Sequence, residues 1–369
     1  MKKLLALVLA FLALLLLGAC GAQESVDSQA PLPSSVLVPS TQPSKEASQE
    51  PTLYYSPTTG MAYDTPPEYK PISVMVENQA QARPQTALQQ ADIIYEAMAE
   101  GDITRFMCIF NDQKPTVVGP VRSARLYYIN MQKEWDSPLV HYGGPDDSKS
   151  PSYIYGESTK YIKVRVDGVK GTYSKYFWRD KSRSAPHNVY TNLVKIQDEL
   201  YDYTPNNRIH FSFSDNPGYS GDTVDTVSLP YVTDKENFVT FQYDSAKDKF
   251  FRFEKGKAFE VRTVSEDENG KQSTVTEPLS VQNLIVQYAQ TYVRKNDGGG
   301  RRMVEMVGEG KCEYFIGGKY ISGYWERESL DDSTQYYADN GLPIILKPGN
   351  TFIAVHPDNK EIGITYVGQ

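Results

Sequence analysis

Residues 82–144 read ARPQTALQQADIIYEAMAEGDITRFMCIFNDQKPTVVGPVRSARLYYINMQKEWDSPLVHYGG, the densest mixture of apolar runs, charges and turn residues in the chain. Within this stretch, Ile103–Phe110 is a short apolar run bounded by turn residues, which predicts a buried strand. Gly119-Pro120 predicts a turn. The apolar spacing after that turn predicts a helix over Leu126–Trp135, with Ser123 as its N-cap. A strand, a turn and a helix in succession favour a mixed α/β layer.

Arg122 and Arg125 lie at the start of the predicted helix, where the helix dipole already supplies partial positive charge. The two guanidinium groups therefore need a neighbouring anion. That anion could be internal, because Glu96, Glu100 and Asp102 precede the helix in the sequence. It could equally be a bound ligand, because free backbone N–H groups at a helix start attract phosphates and carboxylates. The sequence leaves both interpretations open, and the internal ion-pair interpretation is slightly favoured because structural networks give the same pattern.

The N-terminus has the organisation of a secretory signal peptide. Lys2 and Lys3 precede the continuous apolar run Leu4–Leu17, which is short for a transmembrane helix. Leu17-Gly18-Ala19-Cys20 then resembles a lipobox, the site at which a signal peptidase cleaves before a cysteine that receives diacylglycerol. We therefore predict a signal peptide over residues 1–19 and lipidation of Cys20, with acyl chains such as palmitate anchoring the mature protein to the membrane.

The net charge excludes some classes of partner. The formal charge of the whole chain is −8, and removal of Lys2 and Lys3 leaves 36 basic and 46 acidic residues, or −10. A surface this acidic argues against nucleic acid and against docking on anionic lipid through basic patches. The lipid on Cys20 would supply membrane attachment on the extracytoplasmic face instead.

Composition divides the remainder of the chain into three segments. Residues 20–65 are rich in Ser, Pro, Gln, Thr and Ala without apolar periodicity, which predicts a flexible tether. Residues 66–216 alternate strand-like and helix-like patterns, which predicts a mixed α/β domain. Residues 217–369 carry strand-like runs and hairpin turns at 267–270 and 316–318, which predicts a mainly antiparallel β-rich domain.

Candidate binding residues come from charged and glycine-rich loops. His141 ends a predicted strand before Gly143-Gly144, a typical position for a ligand in an α/β sheet, and His187 lies in a polar loop before a helix. A single histidine more often satisfies a backbone partner, which is our interpretation of His210 and His356. The predicted binding set consists of Glu96, Glu100, Asp102, Arg105, Arg122, Arg125, His141, Trp178, Arg183 and His187.

The sequence predicts neither a metal site nor a cofactor. Common hydrolase and nucleotide-binding motifs are absent, and no nucleophile stands out. Cys108 and Cys312 lie in apolar runs and are predicted to be buried free thiols rather than a disulfide. The chain has 27 tyrosines. Half-buried strand positions explain most of them, although Trp178 and Trp325 could also stack on a glycan.

Four motifs resemble those of the YerB-like lipoproteins of low-GC Gram-positive bacteria. They are ARPQTALQQADIIYEAMAEGDITRF, VGPVRSARLYY, PLVHYGG and RSAPHNVYT, with a weaker similarity through RRMVEMVGEGK and PGNTFIAV. The resemblance covers nearly all of the mature chain. It implies a two-part domain of unknown function held outside the cell by a lipid anchor, and it supplies no catalytic residues.

These observations favour a non-enzymatic cell-envelope factor that binds a partner protein or a cell-wall polymer through an arginine-rich anion site. The alternative is a hydrolase or transferase acting on cell-wall material, with His141 or His187 as base and Arg122 and Arg125 holding an anionic group. A solute-binding protein of a transporter fits less well, because the second half is β-rich.

Overall fold

The computed structural model describes residues 52–156, 159–206, 211–231, 238–297 and 299–369. The predicted signal peptide, the lipidation site Cys20, most of the predicted tether and His210 lie outside the described residues. Residues 51–369 form one compact unit.

The described part of the chain is β-rich, with two α-helices, α1 (Leu126–Lys133) and α2 (Leu193–Leu200). In chain order its strands are β1 (Tyr54–Tyr55), β2 (Ala62–Tyr63), β3 (Ile72–Glu77), β4 (Gln85–Thr86), β5 (Ile93–Met98), β6 (Thr104–Phe110), β7 (Leu139–His141), β8 (Arg165–Asp167), β9 (Phe177–Arg179), β10 (Val189–Thr191), β11 (Ser212–Phe213), β12 (Val224–Leu229), β13 (Val239–Asp244), β14 (Lys249–Glu254), β15 (Lys257–Ala258), β16 (Glu260–Glu266), β17 (Gln272–Pro278), β18 (Ser280–Val281), β19 (Asn283–Ala289), β20 (Thr291–Val293), β21 (Arg302–Val304), β22 (Gly308–Ile316), β23 (Lys319–Arg327), β24 (Gln335–Ala338), β25 (Ile345–Leu346), β26 (Thr351–Pro357) and β27 (Gly363–Tyr366).

A ten-stranded sheet is the centre of the fold, in the order β24-β23-β22-β19-β26-β5-β6-β3-β7-β8. Strands β19, β26 and β5 are mutually parallel, as are β3, β7 and β8. Because β6 is antiparallel to both β5 and β3, all six strands run in the same direction. They therefore end at one edge of the sheet, which we term the carboxyl edge, and begin at the opposite amino edge.

The central sheet is covered on both faces. One face packs against the sheet that contains β12, β13 and β14, around Phe106, Phe241 and Phe352. The other face packs against α1, around Tyr127, Tyr128 and Met107. Burial on both faces explains why β3, β5 and β26 are apolar in a nearly continuous run rather than in alternation.

The β-rich character of the second half is confirmed. The hairpin turns predicted at 267–270 and 316–318 join β16 to β17 and β22 to β23. The mixed α/β layer predicted for residues 66–216 is not established, because only two eight-residue helices accompany its strands in the described residues. The central sheet draws strands from both sides of residue 217, and a domain boundary there stays a prediction.

The helix predicted at Leu126–Trp135 forms as α1, but its N-cap differs from the sequence expectation. Arg125 is the N-cap residue of α1, and Ser123 instead donates its hydroxyl to the backbone oxygen of Tyr142 at 3.0 Å. Asn192 caps α2 by accepting a hydrogen bond from the Lys195 amide. A short 3₁₀ helix spans Tyr173–Tyr176.

Residues 52–65 are part of the compact unit, although the predicted tether runs to residue 65. Strands β1 and β2 pair as a hairpin whose turn is buried at the amino edge. Thr58 donates to Asp92 at 2.5 Å, and Ser56 donates to Asp112 at 2.7 Å. These buried hydrogen bonds hold a segment whose composition alone predicts no order.

Candidate functional site

The GPVRSAR segment lies in a split of the central sheet. Beyond their paired residues, parallel strands β3 and β7 separate at the carboxyl edge, and residues 119–125 enter the gap. The Arg122 amide donates to the Met75 oxygen at 2.9 Å, and the Tyr142 amide donates to the Arg122 oxygen at 3.0 Å. A side chain at Gly119 would meet the Val189 oxygen at 2.7 Å, so the segment needs glycine there. Gaps at the carboxyl ends of parallel strands are common ligand sites.

Glu77 is the central carboxylate of this split, and it is not among the binding residues predicted from the sequence. Its Oε1 lies 3.1 Å from Arg122 Nε and 3.0 Å from His187 Nδ1. The residue is buried, and Arg105 lies directly opposite it in the β3–β6 register. Only the strand assignment could have indicated Glu77, because it ends β3 immediately after a run of apolar residues.

Arg125 and Arg105 are compensated from within the protein. Arg125 forms a two-point ion pair with Glu100, in which Nη2 lies 2.9 Å from Oε2. Burial opposes ionisation of Glu100, but the hydrogen bond and charge of Arg125 together with the charge of Arg105 outweigh it, so the pKa of Glu100 is below its ordinary value. Arg105 is buried and donates to the Ser123 oxygen at 2.7 Å. Burial and the nearby Arg125 lower the pKa of Arg105.

Glu96 lies on the opposite face of the sheet from these arginines. It is fully buried and accepts hydrogen bonds from Arg252 at 3.0 Å and from Thr104 at 2.5 Å. Burial raises the pKa of Glu96 despite the Arg252 charge. Arg252 also reaches Glu254, which pairs with Arg83 at 2.6 Å. This network joins β5 of the central sheet to β14 of the sheet packed on that face. Glu96 therefore does not lie in the split with Arg122.

The other predicted residues are distributed along the carboxyl edge. Asp102 is exposed and pairs with Arg302 at 2.7 Å. His141 is buried with Nδ1 2.9 Å from the Gly143 oxygen, and burial lowers its pKa to about 4.

The two remaining predicted residues, Arg183 and Trp178, contact different neighbours. Arg183 donates to the Pro84 oxygen at 2.7 Å. Trp178 is partly exposed and stacks on Tyr190, with 6.2 Å between the centroids of the two rings. The predicted set therefore does not converge on a single pocket.

A cavity of about 770 Å³ opens beside the split. The cavity lies at the carboxyl ends of β3, β5 and β26, and Thr291, which comes after β19, also lines it. Its charged lining residues are the basic Arg83, Lys255, Arg302 and Lys360 and the acidic Asp102 and Glu254. Four positive and two negative groups give this cavity a net charge of +2 in a chain whose formal charge is −8.

Two of the four basic residues that line the cavity have no carboxylate partner in the described part of the chain. The Lys360 ammonium donates to the Tyr231 oxygen at 2.7 Å, and burial together with Arg302 lowers its pKa. Lys255 is exposed at the turn between β14 and β15. The buried Tyr231 hydroxyl also lines the cavity and has no hydrogen-bond partner among the described residues. A bound anion would accept hydrogen bonds from these groups.

Within the described residues, no group of three or more His, Cys, Asp or Glu side chains is arranged to hold a metal ion. Cys108 and Cys312 are free and buried as predicted, and burial raises the pKa of each thiol. In the same part of the chain, no helix has the length and apolar character needed to span a membrane.

Two family profiles match most of the compact unit. Residues 58–207 match the N-terminal domain, and residues 227–353 the C-terminal domain, of the proteins of unknown function DUF3048. The chain belongs to the DUF3048 family. These two matches leave only residues 208–226 unassigned between them.

Relatives of this DUF3048 protein confirm the resemblance seen in its motifs. It is 31% identical over 315 residues to a protein of Bacillus subtilis (strain 168) that is named as a candidate lipoprotein, YerB. The aligned region covers 82% of this chain and 86% of the relative. The crystal structure of YerB from Bacillus subtilis matches with a TM-score of 0.66 and 29% identity, covering 84% of this chain and 99% of that one. The name of the relative agrees with membrane anchoring through a lipid.

Proposed function

We propose that this chain is an extracytoplasmic, lipid-anchored protein that binds an anionic cell-wall polymer without chemically changing it. The lipobox at Cys20 and the lipoprotein name of its relative support the anchor. The observation that carries the binding proposal is the net positive cavity at the carboxyl edge of an acidic protein. Clefts lined by one sign of charge concentrate ligands of the opposite sign.

The binding contacts assigned here differ from the arginine pair that the sequence singled out. Arg122 and Arg125 already face Glu77 and Glu100, so their charges are compensated inside the fold. Lys360 and Lys255 have no such partner among the described residues and face the cavity. Burial and the charge of Arg302 lower the pKa of Lys360, and an anionic group bound beside its ammonium would oppose both effects.

Binding to purified wall fragments tests this proposal. The full-length protein in detergent should sediment with wall fragments, and Lys255→Gln with Lys360→Gln should remove most of that binding. The matched control is Lys195→Gln with Lys271→Gln, which removes the same charge from exposed positions outside the cavity. Equal binding by the two double variants would overturn the assignment of the site.

A second candidate function is catalysis on wall material, and one observation favours it. His187 Nδ1 contacts the buried Glu77 carboxylate at 3.0 Å, and Arg122 lies on the same carboxylate oxygen. A carboxylate that orients an imidazole in this way is typical of general bases. Release of soluble wall products at catalytic protein concentration, abolished by His187→Gln, would establish this function in place of binding alone.

A further inference from the structure

The hairpin β1–β2 exposes an unusual concentration of apolar side chains. Leu53 and Met61 are 45% and 47% exposed, and Tyr55 is 63% exposed. Tyr54 and Tyr63 face each other across the hairpin, at 38% and 36% exposure. Exposed apolar side chains elsewhere in the described residues are mostly scattered singly or in pairs. A contiguous exposed apolar group of this kind marks an interaction surface.

The hairpin is a rigid part of the compact unit. Its turn is anchored at the amino edge by Ser56, Thr58 and Thr59, which donate to the buried or half-buried carboxylates of Asp92 and Asp112. In addition, the Gly349 amide donates to the Thr59 oxygen at 2.7 Å. The exposed apolar side chains, which lie on both strands and directly beside this anchored turn, are consequently held at the surface of the compact unit.

The position of the hairpin in the chain indicates what covers it. Its open end begins at residue 52, where the chain arrives from the predicted lipid anchor at Cys20, 32 residues earlier in the sequence. Residues 52–63 contain no charged side chain. Tyrosines mixed with aliphatic residues are characteristic of segments that lie at a membrane–water interface, because each ring has an apolar body and a polar hydroxyl.

We infer that the β1–β2 hairpin rests in the interface of the bilayer to which the chain is anchored. The amino edge then faces the membrane. The cavity, which lies at the carboxyl edge of the same sheet, faces away from it toward the wall. This inference rests on the lipid anchor of the proposed function, and it adds a second membrane contact that sets the orientation of the binding edge.

Depth-dependent quenching tests this inference with the full-length lipidated protein in phosphatidylcholine–phosphatidylglycerol vesicles that contain nitroxide-labelled lipids. A fluorescent label would be attached at Tyr55→Cys or Met61→Cys, and the matched control is Val169→Cys. Val169 is 59% exposed and follows β8 at the carboxyl edge. Cys108 and Cys312 are buried and would not react.

We expect loss of most of the fluorescence at both hairpin positions and little loss at position 169. Equal quenching at all three positions, or none at any of them on protein that floats with the vesicles, would overturn the inference. Self-quenching at position 55 that rises with protein density, without quenching by the labelled lipid, would show that a second copy covers the hairpin, and would also overturn it. Protein that fails to float at all would instead contradict the anchor of the proposed function.

Discussion

The ammonium of Lys360 lies 2.7 Å from the backbone oxygen of Tyr231, and no carboxylate in the described residues forms an ion pair with it. Arg302 is close enough for its charge to contribute to the lowered pKa of Lys360. Proteins usually place an opposite charge beside a partly buried ammonium group. The charge of Asp102 acts on Lys360, but no ion pair between the two forms in the described residues, which makes Lys360 a candidate for contact with a ligand at the mouth of the cavity.

Lys360→Gln should leave folding stability nearly unchanged while weakening binding. The substitution removes a charge that lacks an ion-pair partner, and such changes at partly exposed positions stay within about 1 kcal/mol. Thermal unfolding of the variant and of the wild type would measure the change. A loss of several kcal/mol would mean that Lys360 supports the fold and would argue against its role as a binding residue.

Replacing Arg122 and Arg125 together with alanine should lower the free energy of unfolding by about 3 kcal/mol or more, because it leaves Glu77 and Glu100 without their arginine partners. Glu77 is almost completely buried. Lys175→Ala is the control, since it breaks an exposed pair with Glu199 and should leave the melting temperature nearly unchanged. A melting temperature unchanged in the double variant would show that these arginines are held for a ligand instead.

His141 should make the protein less stable in acid. Burial lowers its pKa to about 4 from the usual 6.5, so the unfolded chain binds this proton more readily than the folded one. The contribution to stability is complete above pH 6.5 and is lost as the pH falls toward 4, by about 2 to 3 kcal/mol. His141→Gln should flatten this part of the stability profile in urea unfolding. An unchanged profile would contradict the buried neutral histidine.

Asp92 should make the protein less stable as the pH rises, the opposite of the effect of His141. Burial, followed by the nearby Asp112 charge, raises its pKa to about 7 from 3.8. The folded state therefore holds this proton more firmly, and the associated stability is present below pH 3.8 and is lost as the pH rises through about 7. Asp92→Asn should be more stable than the wild type at about pH 8, with a smaller advantage at about pH 5. Urea unfolding of the variant and of the wild type measures this difference in stability. A difference that does not grow with pH would contradict the prediction.

Sequence patterns were sufficient for the local elements of this fold. The apolar run of β6 and the turn at Gly317-Gly318 are recognised, because strand periodicity and turn chemistry are local properties. The cap of α1 is assigned to the wrong residue, since helix starts shift with tertiary contacts. Order in residues 52–65 was missed because it depends on buried hydrogen bonds to Asp92 and Asp112, which are distant in the sequence.

The candidate site was predictable only in part. The motifs around Arg122 and His187 do meet at one carboxylate, although that carboxylate, Glu77, was not identified. Glu96 was grouped with the arginines because alternation along a strand does not reveal which face an isolated polar residue joins. The cavity residues Lys255 and Lys360 come from the β-rich half: Lys360 follows β26 of the central sheet, whereas Lys255 lies in the β14–β15 turn of the sheet packed against it.

The anion-binding cavity is tested by the affinity of the full-length protein for a soluble phosphate polymer, compared with an uncharged glycan of similar length, over a range of salt concentrations. We expect binding of the phosphate polymer that weakens as salt screens the charges. We also predict that Lys255→Gln with Lys360→Gln weakens this binding about tenfold or more, equivalent to about 1.4 kcal/mol, whereas Lys195→Gln with Lys271→Gln does not. Equal affinity for the charged and uncharged polymers, or equal loss in the two double variants, would contradict an anion-binding cavity at the carboxyl edge.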